Sequence, residues 1–485
     1  MADEGYLWYG VLRIRHGEVP QRDFRSYEPG RYLWCGLFSL VFGRSLGAVR
    51  LATHAFYALC LGVALVTLRR VGLSGLELFL TAVLLAAWAH PMHKLYEPGL
   101  LLLGFSTSTW LALLPSPLTA ALAGGAIGLA MLFGFNYFLY LGAAVVLLFV
   151  TAGGLATLAL PLELFGWVAL GAVLGGLPFA AFLATPGFLR AFIRRRVISI
   201  LARGSTNLPL AVPWPWRPAL RQLGRESRIR QFVYGALFVL LPAAPIAVLV
   251  GAWVWGPLVS ARLAGIIAAA TLGAVGWHHA YSRADRSHLA QAMAPLLLMA
   301  ALALTSSLGL FILAVGSVAL NWTLYPQVRR RRKPQQFKPL QLGWLRIWLR
   351  GPQHRILDAA LDLSRRHLAH GGSLLALPNL PWLYAILGRR APIYDIYAIF
   401  PASEAEQDRM LTSISQADVR VAFIANAPTD GREELRFSNT HPLVWRYIVA
   451  TMEQVEVLPG SVHVFREHAR ADASTEISHR DKLGL

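Results

Sequence analysis

The chain has 485 residues, of which 55% are hydrophobic and only 15% are charged, and its mean hydropathy is positive. This composition excludes an ordinary soluble enzyme and indicates a polytopic membrane protein with a soluble C-terminal segment. The net charge of +19 is carried almost wholly by arginine, which favours phosphate-bearing lipids or substrates over nucleic acid as partners. Cys35 and Cys60 lie in or beside apolar stretches, so the sequence predicts neither a disulfide framework nor a cysteine metal site.

The chain begins with an amphipathic pattern. Apolar residues recur at helical spacing over Leu7–Ile14, which predicts a helix spanning Asp3–His16 that Gly17 ends. Asp3 and Glu4 fall in the first turn, where the helix dipole favours negative charge. The two carboxylates could cap this helix, or they could belong to a reactive site at the membrane edge.

Apolar stretches separated by short polar breaks fill most of the next three hundred residues. A membrane-crossing helix needs about 20 apolar residues, and several stretches are shorter than that. From the number of stretches we expect about ten crossings. The first stretch is expected to rise into the membrane without crossing it. The predicted stretches are Tyr32–Phe42, Leu46–Leu68, Leu76–Ala89, Leu100–Leu114, Leu118–Phe133, Tyr137–Thr151, Leu155–Ala184, Phe232–Gly256, Leu263–Trp277, Pro295–Leu304 and Leu308–Leu324.

One polar break, His90–Pro98, contains His93, Lys94 and Glu97. A carboxylate at the edge of a membrane is costly, so a functional role is the first interpretation. The other interpretation is that Glu97 caps a helix whose first residue is Pro98.

A second polar break, between two apolar stretches, combines histidines with arginines and an aspartate. Histidines at this spacing could hold a metal, but neighbouring guanidinium groups favour a phosphate anion, and a solvated loop remains a further interpretation. The residues concerned are His278, His279, Arg283, Asp285, Arg286 and His288.

A long polar insertion, residues 186–230, has ten arginines and one glutamate. Apolar residues alternate with arginines over Phe188–Arg196, as in a helix that lies on anionic lipid. This insertion could contact the substrate, or it could only brace the protein against the membrane surface.

From about Arg329 the hydropathy falls, and a soluble α/β domain is expected over residues 328–470. The patterns predict a helix from His354 to His370 and buried strands at Ser373–Leu377 and Val419–Ile424. A capping box at Ser403 is expected to start another helix, and a hairpin is expected over Val455–Phe465. Residues 471–485 are expected to be disordered.

The N-terminal segment resembles the first extracytoplasmic loop of GT-C integral-membrane glycosyltransferases. The resemblance rests on the Asp3–Glu4 pair, the amphipathic helix, the Gly-x-x-Pro-x-x-Asp turn that ends at Asp23, and the Pro-Gly-x-Tyr sequence that ends at Tyr32. This superfamily includes protein O-mannosyltransferases and lipid A aminoarabinose transferases. The resemblance implies an α-helical polytopic membrane core over residues 32–327, preceded by an acidic loop over residues 1–31 and followed by an extracytoplasmic α/β domain.

The resemblance also implies the reaction: inverting transfer of a sugar from a polyprenyl-phosphate carrier to a cell-envelope acceptor, at the outer face of a bacterial inner membrane. Asp3 would be the general base, and Glu4 and Glu97 would complete the catalytic set. No cofactor is required, although a divalent metal is possible, and membrane lipids are further partners. The predicted substrate- and phosphate-binding residues are Asp23, Glu28, Arg31, His93, Lys94, His279, Arg283, Asp285, Arg286 and His288.

Two other classes of function remain open. One is a flippase or transporter of polyprenyl-linked or other anionic lipids, and the other is a membrane scaffold that binds through its C-terminal domain. The expected crossings put the acidic loop, the polar insertion and the C-terminal domain on one face. The positive-inside rule makes that arginine-rich face cytoplasmic, whereas the resemblance makes it extracytoplasmic. Because GT-C enzymes carry a membrane helix ahead of the acidic loop, the native chain is expected to start upstream of Met1. The alternative is a family member that has lost this helix and its activity.

Overall fold

The computed structural model describes residues 2–154, 160–217, 225–255, 260–304, 306–322, 333–369 and 371–468. The chain divides into two compact units. One, the helical unit, comprises Ile14–Gln335 and Gln341–Leu345. The other, the sheet unit, comprises Met1–Arg13, Gln336–Leu340 and Arg346–Leu485. The predicted basic linker after Arg329 and the predicted disordered end beyond residue 471 lie largely or wholly outside the described residues.

Helices account for almost all of the regular structure before residue 323. Most of them match the predicted apolar stretches to within a few residues. They are α1 (Ala2–Ile14), α2 (Pro29–Phe42), α3 (Leu46–Arg70), α4 (Gly75–Ala87), α5 (Tyr96–Leu113), α6 (Pro117–Phe133), α7 (Phe135–Gly154), α8 (Leu164–Leu183), α9 (Phe188–Ile193), α10 (Ser199–Arg203), α11 (Arg225–Trp255), α12 (Ala261–Ser282), α13 (Arg286–Ala292), α14 (Ala294–Ala303) and α15 (Ser307–Asn321), with a 3-10 turn at Met92–Lys94 and a π-helical segment at Arg194–Ile198.

Within the described residues, five helices are long and apolar enough to cross a membrane: α3, α7, α8, α11 and α12. A sixth span results if Gly75–Ala87 and Met92–Leu113, which are bent by 112° at a short break, are taken as one. Three shorter apolar helices, α6, α14 and α15, accompany them. These helices support an integral membrane protein, but the expected count of about ten crossings is not confirmed.

Glycines allow α6 and α8 to approach each other closely. A Cβ at Gly124 would lie 2.0 Å from the carbonyl oxygen of Val168, and one at Gly171 would lie 2.1 Å from that of Ala121. Gly128 and Gly175 are equally constrained, with the nearest backbone oxygens at 2.2 and 2.3 Å. Small residues four apart on both helices thus allow the backbone-to-backbone packing that is common between membrane helices.

The sheet unit contains a four-stranded sheet with strand order β3-β4-β6-β5. The strands are β3 (Ser373–Leu377), β4 (Val419–Ala425), β5 (Met452–Leu458) and β6 (Val462–Glu467), and a hairpin of β1 (Phe337–Leu342) and β2 (Leu345–Arg350) precedes them. β3 and β4 are parallel, whereas β6 is antiparallel to both of its neighbours. The described helices are Gly351–His367, Pro381–Leu387, Glu404–Gln416, Phe437–Thr440 and Pro442–Thr451.

The predicted strands, the hairpin and the capping box are confirmed. The backbone N–H of Ser403 donates to the Glu406 carboxylate at 2.9 Å, as the capping-box pattern requires. Between β3 and β4 the chain makes a crossover, as parallel neighbours require. The core of the unit includes Leu375 on β3, Ile424 on β4 and Phe465 on β6.

The first thirteen residues pack within the sheet unit. The Tyr9 hydroxyl accepts a hydrogen bond from the backbone N–H of Ala391 at 2.6 Å, and its ring lies 5.1 Å from that of Tyr384. A Cβ at Gly5 would lie 2.4 Å from the Cβ of Trp382, so only glycine permits this close approach. The predicted helix is therefore anchored along its apolar face, and Gly17, with a φ of 80°, follows its end.

Candidate active site

A buried ion pair lies inside the helical unit. The Nη1 of Arg31, in the first turn of α2, donates to the Oε1 of Glu97 at 2.8 Å, and the two side chains are 4% and 3% exposed. The Nε of Arg31 also donates to the carbonyl oxygen of Phe133 at 2.6 Å. The guanidinium lies 4.9 Å from the ring centroid of Tyr27 and 5.3 Å from that of Tyr96. Arg31 is thus held by charge, by a hydrogen bond and by two aromatic faces.

Lys94 adds a second positive charge to the same carboxylate. Its Nζ lies 3.7 Å from the Oε1 of Glu97 and 4.7 Å from the ring centroid of Tyr27. Unlike Arg31, the Lys94 side chain is 21% exposed, so it can reach a molecule outside the packed core. Two cations therefore lie beside one buried carboxylate, and cationic side chains among apolar helices attract anionic groups.

The second oxygen of Glu97 is one of several buried polar atoms that lack a hydrogen-bond partner among the described residues. Oε2 has no hydrogen-bond partner among the described residues, and the same holds for the Nδ1 of His279 on α12 and the hydroxyl of Tyr137 on α7. The rings of Tyr137 and His279 are 5.5 Å apart, and a Cβ at Gly134 would lie 3.3 Å from both the Tyr137 ring and the Nη2 of Arg31, which is the partner of Glu97. Helices α5, α7 and α12 therefore bring one polar group each to a common region.

The loop between α12 and α13 is organised around Asp285. Its Oδ1 accepts the backbone N–H of His288 at 2.9 Å and caps α13, while its Oδ2 accepts from the Nε of Arg283 at 2.8 Å. Burial alone would raise the pKa of Asp285, but hydrogen bonds from His288 and Arg283 outweigh burial and hold this pKa below its usual range. The His288 ring lies 5.3 Å from that of His279, so the loop adjoins the buried polar region. Arg286 lies with its guanidinium 4.6 Å from the ring centroid of Tyr234.

Two of the predicted acidic residues support the loop that enters α2. The Oδ2 of Asp23 accepts the backbone N–H of Val19 at 2.7 Å, and Arg22 pairs with the same carboxylate at 2.8 Å. Glu28, which is buried, pairs with Arg196 from the π-helical segment. The polar insertion thus contacts the loop ahead of α2 through an ion pair.

The predicted general base belongs to the sheet unit. The carboxylate of Asp3 accepts a hydrogen bond from the Tyr397 hydroxyl, and the Tyr397 ring lies 5.0 Å from that of Tyr6. Glu4 follows it in the first turn of α1. The predicted site residues are therefore divided, with Asp3 and Glu4 in the sheet unit and all of the others in the helical unit.

In the helical unit, the structure brings Arg31, Lys94 and Glu97 together, places the His279 ring beside that of Tyr137, and buries His93 in the 3-10 turn that ends at Lys94. Tyr137 was not among the predicted site residues. No feature of the sequence distinguishes it from other tyrosines near the ends of apolar stretches. Within the described ranges, no group of three His, Cys, Asp or Glu side chains is placed to hold a metal ion.

No protein-family model matches the chain, and no curated protein matches it in sequence. Among solved structures, ArnT from Cupriavidus metallidurans bound to undecaprenyl phosphate is similar over 96% of this chain and 94% of that one, with 13% identity and a TM-score of 0.46. The same protein in the apo state gives 13% identity and a TM-score of 0.44 over 95% and 92% of the two chains. The Archaeoglobus fulgidus oligosaccharyltransferase in the apo form gives 11% identity and a TM-score of 0.38 over 87% of this chain and 65% of that one. These solved proteins are members of the GT-C superfamily, which the N-terminal segment of this chain resembles.

Proposed function

We propose that this chain is a membrane glycosyltransferase that transfers a sugar, with inversion, from a polyprenyl-phosphate carrier to a cell-envelope acceptor on the extracytoplasmic side. The observation that carries the proposal is the pair of cations, Arg31 and Lys94, around Glu97 inside an apolar helical unit. A lipid phosphate fits such a site because the cations attract its anion while its hydrocarbon chain stays among apolar helices. The acidic N-terminal segment and its GT-C resemblance support the same reaction.

The two cations have different roles in this proposal. Arg31 donates to Glu97 and to Phe133 and lies against two aromatic rings, so its proposed role is to position Glu97. Lys94 is partly exposed and therefore binds the phosphate. When the bond between the anomeric carbon and the phosphate oxygen breaks, the departing lipid phosphate gains negative charge, which the Lys94 ammonium stabilises. The GT-C resemblance makes Asp3 the proposed general base, which would remove the proton from the acceptor hydroxyl.

Binding of the carrier tests the phosphate site. The purified full-length protein in lipid nanodiscs is titrated with undecaprenyl phosphate, and Lys94→Gln is compared with wild type. Loss of one charge-assisted hydrogen bond should weaken binding roughly ten- to hundredfold. Arg262→Gln is the matched control, because Arg262 precedes His279 on α12 by about 25 Å of helix and pairs with Glu77 instead. Equal affinities for wild type and Lys94→Gln would refute the assignment.

Transfer of the sugar tests the reaction. With labelled undecaprenyl-phosphate sugars and envelope lipid extract as acceptor, Asp3→Asn should lower the rate about a hundredfold to ten-thousandfold, as expected for loss of a general base. Asp408→Asn, an exposed carboxylate of the same unit, should not change it. Carrier binding together with lipid translocation in liposomes, but no sugar release, would instead identify a flippase or transporter.

A further inference from the structure

We infer that Glu97, Tyr137 and His279 form a subsite for the hydroxyl groups of the sugar, separate from the place where Lys94 binds the phosphate. This inference rests on the proposed function and identifies the part of the donor that these residues recognise. Their side chains are 2%, 2% and 6% exposed, and each leaves a polar atom without a partner among the described residues. Buried polar atoms are seldom unpaired in proteins, so three in one region indicate a bound polar group.

The hydrogen-bonding character of these atoms follows from their neighbours. The Nε2 of Gln291 donates to the carbonyl oxygen of Ser287 at 2.8 Å, so the Oε1 of Gln291 is oriented as an acceptor. The Nε2 of His279 lies 3.0 Å from that Oε1 and must therefore carry the ring proton. In the neutral ring, Nδ1 is then an acceptor.

The group that binds here must supply hydrogen-bond donors. The Oε2 of Glu97 and the Nδ1 of His279 both accept, and the Tyr137 hydroxyl can donate or accept. A phosphate diester presents only acceptor oxygens and would face two acceptors, which excludes it from this position. Hydroxyl groups both donate and accept, so the hydroxyls of a sugar ring satisfy all three atoms.

Glu97 joins the two parts of the proposed site. Its Oε1 is bound by Arg31 and lies near Lys94, whereas its Oε2 remains for the sugar. Arg31 fixes the carboxylate through a buried hydrogen bond, so Oε2 is held in place before the donor binds. The same carboxylate thus separates a cationic region for phosphate from an acceptor-rich region for hydroxyls.

The test compares carriers with and without a sugar. Undecaprenyl phosphate and its glucose, mannose and arabinose conjugates are titrated against the full-length protein in nanodiscs. In wild type, at least one conjugate should bind more tightly than the bare carrier. Tyr137→Phe should reduce that gain roughly two- to tenfold, as expected for one hydrogen bond, and should leave the affinity for the bare carrier unchanged.

Tyr140→Phe is the matched control, because it removes a hydroxyl one turn along α7 that bonds the Nδ1 of His278 at 2.9 Å. It should leave the sugar-dependent gain intact. A gain that is absent in wild type, unchanged in Tyr137→Phe, or reduced equally in both variants overturns the inference. Lower thermal stability of Tyr137→Phe with an unchanged gain overturns it too, and assigns these atoms to buried water. Failure of wild type to bind even the bare carrier refutes the proposed function itself.

Discussion

Replacing Arg31 with methionine should destabilise the helical unit far more than any other single change in the ion-pair cluster. The variant keeps an unbranched side-chain stem but removes the guanidinium group, so the Glu97 carboxylate stays buried without its 2.8 Å partner. The carbonyl oxygen of Phe133 also loses its 2.6 Å donor. Removing one member of a buried ion pair costs about 3–5 kcal/mol, and Lys94, at 3.7 Å and partly exposed, compensates only weakly.

Removing the charge of Glu97 instead of that of Arg31 should reduce the stability of the protein less. In Glu97→Gln the amide oxygen can still accept from Arg31, whose guanidinium keeps its bond to Phe133, so the loss should be about 1–3 kcal/mol. The double variant Arg31→Met with Glu97→Met removes both charges and should recover most of the stability lost by Arg31→Met. The free energy of unfolding of all three variants is measured by thermal and denaturant unfolding of the full-length protein in one detergent. The reasoning is refuted if Arg31→Met stays within about 1 kcal/mol of wild type, or if the double variant is no more stable than the single one.

Three further outcomes are expected. Gly171→Leu should prevent close packing of α6 and α8, because its Cβ would lie 2.1 Å from a backbone oxygen, whereas Gly166→Leu on the same helix meets open space; size-exclusion profiles distinguish the two. Asp285 has a lower pKa in the folded protein than in the unfolded chain, so its charge stabilises the fold above about pH 4 and this contribution is lost as the pH falls further. Asp285→Asn should therefore lower the melting temperature at pH 7 and have progressively less effect below pH 4; an equal effect at pH 7 and pH 3 would contradict the assignment. A reporter fused after Leu485 should be extracytoplasmic, and a cytoplasmic signal would favour the positive-inside interpretation.

The positions of the helices could be predicted because hydropathy is a local property. The predicted stretch Leu46–Leu68 lies within α3, Leu46–Arg70. The same holds for strands, since β3 begins and ends at the predicted residues, Ser373 and Leu377. The number of crossings could not be predicted, since it depends on how elements combine. The 112° bend between Gly75–Ala87 and Met92–Leu113 decides whether they count as one span, and hydropathy does not predict its angle.

The candidate site was also predictable only where its signal is local in the sequence. Glu97 stood out because a carboxylate in apolar surroundings is costly, but its partner Arg31 is 66 residues away, and only the fold reveals the pairing. Tyr137 gave no comparable signal, because tyrosines near the ends of apolar stretches are ordinary in membrane proteins. The importance of Tyr137 depends on its buried hydroxyl, which has no hydrogen-bond partner among the described residues. Such a property of the three-dimensional packing is not visible in the sequence.

The anchoring of α1 within the sheet unit affects how the protein is made. The hydrogen bond between Tyr9 and Ala391 joins residues 382 positions apart. At a synthesis rate of about 5–20 residues per second, α1 leaves the ribosome roughly 20–75 s before the segment on which it packs. During that interval its aromatic face has no protein surface to cover it, and the membrane interface is the nearest place for an amphipathic helix to reside. We therefore expect α1 to rest on lipid first and to join the sheet unit only after residues 380–397 have been synthesised.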